Sequence, residues 1–274
     1  MNLQEHFDEI ETRGFTIVRG LVSKEEAAEM KECLQSVLEE DWDAYGGRPS
    51  KLRELVVELV TKDVVFRRLL DNDTIHAVFS HFLTDQCILY CYNSAIMPPS
   101  QQTLACSIHV DTNFYIPNYF SRLQLMLGLD DITLENGATY FLPGSHKSDR
   151  VPTKDEFYQN AVQLTRSAGD GVFFSTRCYH AGAVNHSGKT RYAVGLQACR
   201  PWMKQRFDYP RMLTAELVET LSDRAKRFLG LNAQIPVNED EFYVSQEQRL
   251  YKANLSQPNY SDPALFAVPQ GRTS

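Results

Sequence analysis

The sequence predicts a mainly β fold with flanking helices, built as a sandwich or a jelly-roll barrel. Three observations carry this. Short β-rich runs recur from about residue 86 to residue 202, separated by turns rich in glycine and proline. One run, Leu123, Leu125, Leu127 and Leu129 interleaved with Gln124, Met126 and Gly128, has a strict period of two. Helical periodicity lies mainly toward the two ends of the chain, with one short insert inside the core.

The N-terminal part, residues 1–83, reads as helical support. A helix precedes Gly14, and Phe15-Thr16-Ile17-Val18 comes next as a short strand. Ser23 caps the next helix, with Glu26 three residues on completing a capping box. Ala27, Met30, Leu34 and Val37 fall at helical spacing. Gly46 to Ser50 is a loop, and a second helical region covers about 51–83, with Leu52, Leu55, Val56, Leu59 and Val60 on its apolar side.

The β-rich core is expected over 84–202. Cys87 to Tyr92 is its first strand, closed by Pro98-Pro99. Thr139 to Leu142 is a strand, and Pro143-Gly144-Ser145-His146 turns the chain after it. A helical insert spans Lys154 to Val162. Gly171 to Phe174 and Arg191 to Leu196 are the last strands. A C-terminal helical extension, 203–274, holds a helix near Thr214–Leu229 and a polar tail; the whole chain is expected to be one domain of 274 residues.

Composition narrows the function classes. Hydrophobic residues make up 43% and charged residues 23%, ordinary for a globular chain. A formal net charge of −7 lacks the broad basic footprint of a nucleic-acid binder. The N-terminus has no basic-then-apolar leader, and no apolar run reaches the roughly 18 residues of a membrane span. The six cysteines are scattered, with no Cys-x-x-Cys pair, and read as reduced thiols of a cytoplasmic protein. A small-molecule partner is expected, with neither nucleic acid nor membrane; the sequence leaves the oligomeric state open.

Four residues suggest chemistry. In His109-Val110-Asp111 the ligand-type side chains sit at i and i+2, which share a face on a strand and can meet one ion. His180 lies after the strand Gly171 to Phe174, and Arg191 follows it by eleven positions (191 − 180). Two imidazoles and one carboxylate form a facial set suited to Fe(II), and the open positions suit a bidentate cosubstrate and O₂. Arg191 offers a guanidinium fork for the far carboxylate of a keto-acid.

Around these residues the chain resembles the phytanoyl-CoA dioxygenase-like branch of Fe(II)/2-oxoglutarate oxygenases. The similarity runs through Gly14 to Leu21, His109-x-Asp111, Leu129-Asp130-Asp131-Ile132-Thr133-Leu134-Glu135-Asn136-Gly137-Ala138-Thr139, Pro143 to Lys147, His180 and Arg191. It implies a double-stranded β-helix, cupin-like, with helices packed outside. It implies Fe(II) on His109, Asp111 and His180, and 2-oxoglutarate on Arg191, with Thr139 and Gln124 as further cosubstrate contacts. Asn93, Asn113 and Tyr115 are the candidates for the substrate wall. His146 reads as a structural turn residue. Gly182 departs from relatives that place Ser or Thr there against the cosubstrate. Asp111 departs from halogenating relatives, which carry Ala or Gly and leave that position to chloride.

The activity this implies is a dioxygenase that hydroxylates, desaturates or cyclises an unactivated C–H bond of a small or medium-sized metabolite, in a biosynthetic pathway. The rival readings are a non-oxidative metal enzyme on the same barrel and a non-catalytic metabolite-binding barrel.

Overall fold

The computed structural model describes residues 2–44, 55–232, 236–245 and 248. The loop expected at Gly46–Ser50, the start of the second helical region including Leu52, and the polar tail from 249 lie outside these. The chain falls into two compact units, Met1–Gly230 and Leu231–Ser274. In the second, one helical turn, Glu239–Phe242, is capped by the Asn238 side chain.

The first unit opens with α1 (Leu3–Arg13), β1 (Phe15–Val18) and α2 (Lys24–Ala44). The capping box at Ser23 forms as expected: Glu26 N donates to Ser23 Oγ at 3.1 Å, and Ser23 N donates to Glu26 Oε2 at 2.8 Å. The second helical region is broken. Leu55 to Glu58 are not helical, and a 3₁₀ turn, Leu59–Thr61, comes next. Then α3 (Val64–Arg67) and α4 (Asp73–Leu83) start separately, because Asp63 and Asn72 each turn a side-chain oxygen back onto a backbone N–H.

The later strands are β2 (Ile88–Ser94), β3 (Arg122–Gly128), β4 (Tyr140–Phe141), β5 (Val162–Gln163), β6 (Gly171–Ser175), β7 (His180–Ala181) and β8 (Ala193–Cys199). With β1 they form two antiparallel sheets. The larger has the order β1-β6-β3-β8-β2 and the smaller β5-β4-β7. Their inner faces meet through aromatic rings: Phe174 of β6 lies 4.9 Å from Phe141 of β4 and 5.0 Å from His180 of β7. This is the two-sheet jelly roll with flanking helices that the sequence predicts.

The period-two run in β3 explains how the larger sheet is oriented. Leu123, Leu125 and Leu127 are fully buried, and α4 packs against this strand. Gln124 and Met126, on the opposite face, look into the space between the sheets. The insert helix α5 (Lys154–Asn160) carries its own capping box from Thr153 and Glu156. After β8 come α6 (Tyr209–Met212), α7 (Ala215–Glu219) and α8 (Asp223–Phe228). The single helix expected over 214–229 is therefore two, since Ser222 accepts from Ala225 N and starts a new one. No helix among the described residues is long and apolar enough to cross a membrane. All six cysteines are free thiols, and burial pushes Cys178 up to about 12, so it is inert.

Candidate metal centre

His109 and His180 are brought together by the backbone. His109 N donates to His180 O and His180 N to His109 O, both at 3.0 Å. The pair forms an isolated antiparallel bridge rather than a regular strand. Asp111 is held next to it, because the amides of Asp111 and Thr112 both donate to Thr176 O, at 2.9 and 3.0 Å. The imidazole Nε2 atoms of His109 and His180 then lie 3.7 and 4.0 Å from Asp111 Oδ1. All three donor atoms fall within 4.8 Å of one another.

Each imidazole is oriented for ligation by the same local device. His109 Nδ1 bonds to Ser107 O at 2.8 Å, and His180 Nδ1 to Cys178 O at 3.0 Å. A carbonyl can only accept, so Nδ1 carries the proton and Nε2 presents its lone pair to the centre. Burial, chiefly, holds the His180 pKa below its ordinary value, with the nearby His109 acting in the same direction; Asp111 opposes. The ring is stacked on Phe141 and set edge-on to Phe174. It stays neutral and ready to ligate at neutral pH.

This donor set fits a divalent iron. Cis ligands around an ion with bonds near 2.1 Å sit about 3 Å apart, so the three groups need to close by no more than about 2 Å. Two nitrogens and one oxygen on one side leave the other side open to the cavity.

That cavity, about 250 Å³, lies between the sheets and is bordered by the triad. Arg191 reaches it from the segment before β8. Its residue is 4% exposed, and Nη1 donates to Gly137 O at 2.8 Å. Its Nε has no partner, and it makes no ion pair among the described residues. Burial lowers its pKa to about 10, so it remains a cation. A buried cation with unused donors on a cavity wall fits an anionic ligand.

The Asn-Gly-Ala-Thr stretch exists to make that arrangement. Asn136 Oδ1 accepts from Thr133 N at 2.8 Å and closes a turn. Gly137 is next, at φ +89°, where a Cβ would lie 2.5 Å from Ala183 O. Only glycine lets this carbonyl face Arg191. Thr139, two residues on, is buried and borders the cavity.

Of the other expected residues, Gln124 and Asn93 border the same cavity. Gln124 is accommodated because Gly195, diagonal to it on β8, has no side chain; a Cβ there would meet Gln124 Nε2 at 2.6 Å. Asn93 Oδ1 accepts from Glu58 N at 3.2 Å. The structure does not bring Asn113 or Tyr115 to this cavity. Asn113 is exposed, and Tyr115 donates to Lys147 O at 2.6 Å and borders a separate cavity with Arg177 and His146. The chain turns outward straight after Thr112, whose hydroxyl is tied to Thr176 Oγ1 at 2.8 Å. His146 is structural: Nε2 bonds to Glu11 O at 3.2 Å, and burial lowers its pKa to about 4. Gly182 sits in a tight spot, where a Cβ would lie 2.9 Å from Met97 Cε and 3.3 Å from Ala105 O, so a larger residue there requires Met97 to shift.

Three residues at the centre escaped sequence reading: Arg122, Gln197 and Arg206. Gln197 borders the cavity, and its Nε2 donates to Asp111 Oδ2 at 3.3 Å. Arg122 donates to Asp111 O, to Thr112 Oγ1 and, through Nη1 at 3.1 Å, to Gln197 Oε1. Arg206, exposed, stands at the rim. An inward polar residue alternating with glycine, as in Gly195-Leu196-Gln197, is the one signal that marked Gln197.

The jelly roll and the His-Asp-His centre together define a class, the iron- and 2-oxoglutarate-dependent dioxygenases. Residues 10–193 match the model of the phytanoyl-CoA dioxygenase (PhyH) family, and the chain belongs to that family. It is 27% identical over 259 residues to an uncharacterised protein of Mycobacterium tuberculosis, covering 92% of this chain and 95% of that one. It is 25% identical over 243 residues to an iron/alpha-ketoglutarate-dependent dioxygenase of Aspergillus calidoustus, covering 83% and 81%. Among solved structures, an alpha-ketoglutarate-dependent carbocyclase from nogalamycin biosynthesis superposes with a TM-score of 0.57 at 21% identity, covering 72% and 84%. The epimerase of the same biosynthesis, in complex with Fe³⁺, alpha-ketoglutarate and nogalamycin RO, gives 0.58 at 18% identity, covering 73% and 84%.

Proposed function

We propose that His109, Asp111 and His180 hold one Fe(II), that Arg191 anchors the distal carboxylate of 2-oxoglutarate, and that the enzyme oxidises an unactivated C–H bond of a small or medium-sized metabolite in a biosynthetic pathway. The observation that carries this is one cavity bordered both by the converging Nε2, Nε2 and Oδ1 donors and by a buried arginine with an unused donor. Bound iron supplies the chemistry that couples decarboxylation of 2-oxoglutarate by O₂ to attack on a C–H bond.

The chain's own residues bind, orient and exclude water. Arg191 fixes the cosubstrate at one end, with Gly137 O fixing the Arg191 fork in turn. Thr139, just before β4, and Gln124 of β3 contact the cosubstrate, and Asn93 faces the substrate. Phe174, Met126 and Met97 form dry walls that keep solvent from the reacting carbon. The volume of about 250 Å³ suits 2-oxoglutarate with the reacting portion of a modest substrate. Hydroxylation, desaturation and ring formation diverge only after C–H cleavage; the fold neighbours named a carbocyclase and an epimerase are consistent with an outcome set by substrate placement.

The test is metal analysis alongside oxoglutarate turnover. Wild-type protein should retain one Fe(II) per chain and form succinate from 2-oxoglutarate. His180→Ala should lose both together, and full iron occupancy in that variant would remove His180 from the site.

A further inference from the structure

We infer that Gln197 is a positioning residue that selects which oxygen of Asp111 is offered to the metal, and that Arg122 fixes Gln197 in the orientation this requires. The inference rests on the iron site proposed above.

Asp111 has two carboxylate oxygens with different surroundings. Oδ1 is the one that lies near Nε2 of both histidines, at 3.7 and 4.0 Å. Oδ2 accepts from Gln197 Nε2 at 3.3 Å. A carboxylate with one oxygen engaged by a donor from the side is held for single-oxygen ligation. Without that donor the group is free to turn and chelate through both oxygens, which would occupy a position the cosubstrate needs.

The direction of the Gln197 amide is set by its other neighbour. Arg122 Nη1 can only donate, and it lies 3.1 Å from Gln197 Oε1. The amide oxygen is therefore committed to Arg122, and the amide nitrogen must face Asp111. Arg122 is itself fixed: it is buried, its Nε and Nη2 both donate to Thr112 Oγ1, at 2.9 and 2.7 Å, and its guanidinium lies 4.3 Å over the Tyr90 ring. Arg122 and Gln197 come from adjacent strands, β3 and β8, with Gln197 opposite Gln124 in the register. The large sheet thus supports the carboxylate, while the backbone bridge supports the two histidines.

The experiment is anaerobic titration of metal-free protein with Fe(II), and with Co(II) as a spectroscopic probe, for wild type, Gln197→Leu, Gln197→Asn and His180→Ala. Gln197→Asn keeps a polar amide in the site but draws it back one methylene from Asp111 and Arg122 alike, so it serves if the leucine variant does not fold. Loss of a donor that orients a metal ligand typically weakens binding by about 10–100-fold. Both Gln197 variants should show this loss and shifted Co(II) d–d bands, with the melting temperature of the metal-free Gln197→Asn protein near wild type. Fe(II) affinity within about twofold of wild type, with unshifted Co(II) bands, would overturn the inference while His180→Ala still fails to bind. Retention of metal by His180→Ala would instead overturn the iron-site reading itself.

Discussion

Glu58 offers a quantitative check on the packing behind the cavity. It is 3% exposed, its backbone N–H donates to Asn93 Oδ1, Tyr209 donates its hydroxyl to Oε2, and Oε1 has no partner. Burial raises its pKa from the ordinary 4.5 to about 7, against the lowering effect of the Tyr209 hydrogen bond. The folded state thus holds this proton more tightly than the unfolded state. Its contribution is fully present below about pH 4.5 and drains away as pH rises toward 7. The difference amounts to about 3 kcal/mol at pH 8, at about 1.4 kcal/mol per pH unit. Glu58→Gln removes this dependence. It also introduces a buried amide N–H with no evident acceptor, a cost of about 1 kcal/mol at every pH. The variant should therefore be about as stable as wild type at pH 5 and more stable at pH 8 by about 2 kcal/mol, a rise of roughly 4–8 °C in melting temperature for a unit of this size. Differential scanning calorimetry of both proteins at pH 5 and 8 is the assay. A melting-temperature difference that does not change sign or magnitude between the two would refute the buried-carboxyl argument.

Three other outcomes are expected from the site. Arg191→Ala should raise the 2-oxoglutarate KM at least about tenfold with Fe(II) content unchanged, since a buried guanidinium–carboxylate contact is worth about 2–5 kcal/mol; Arg191→Lys should recover only part, because an ammonium cannot reproduce the fork. Steady-state kinetics with metal analysis decides it, and an unchanged KM would sink the assignment. Gly137→Ala should destabilise the protein by more than about 1–3 kcal/mol, given the positive φ and the Ala183 carbonyl 2.5 Å from the new methyl, and should weaken oxoglutarate binding by displacing the Arg191 anchor. Denaturant unfolding and an oxoglutarate titration read the two effects. On the proposal that Asp111 ligates the iron, turnover in high chloride should give no chlorinated product by mass spectrometry; a chlorinated product would show that it does not.

The parts of this fold that were legible in the sequence are those where one local rule suffices. The leucine alternation of β3 announced its two faces, and Ser23 with Glu26 announced a helix start. The centre was legible because His-x-Asp, His180 and Arg191 are chemically unusual in a strand-rich segment. The features that sequence did not disclose depend on chain segments far apart meeting. The stretch from about 51 to 83 reads as one helical region until Asp63 and Asn72 are seen to cap separate helices. Tyr115, four residues past Asp111, invited a place in the substrate wall, yet the Thr112–Thr176 tie sends the chain elsewhere. Gln197 lies in a strand buried along its whole length, where a single polar residue carries no sign of its partner; that partner comes from a loop 86 residues upstream.

The reciprocal backbone bonds between His109 and His180 bear on how the protein acquires its metal. They close a loop of 71 positions (180 − 109) through peptide groups alone. Bringing such ends together carries a chain-entropy cost of about 4 kcal/mol before any constant term, and the paired peptide groups help to offset it. Small zinc-organised domains differ, because in them ligation itself drives folding. Here the backbone bridge itself draws the two histidines together. Stripping the metal should leave a folded, refillable shell, so that exchange and reloading can proceed as ordinary binding equilibria through the life of the enzyme.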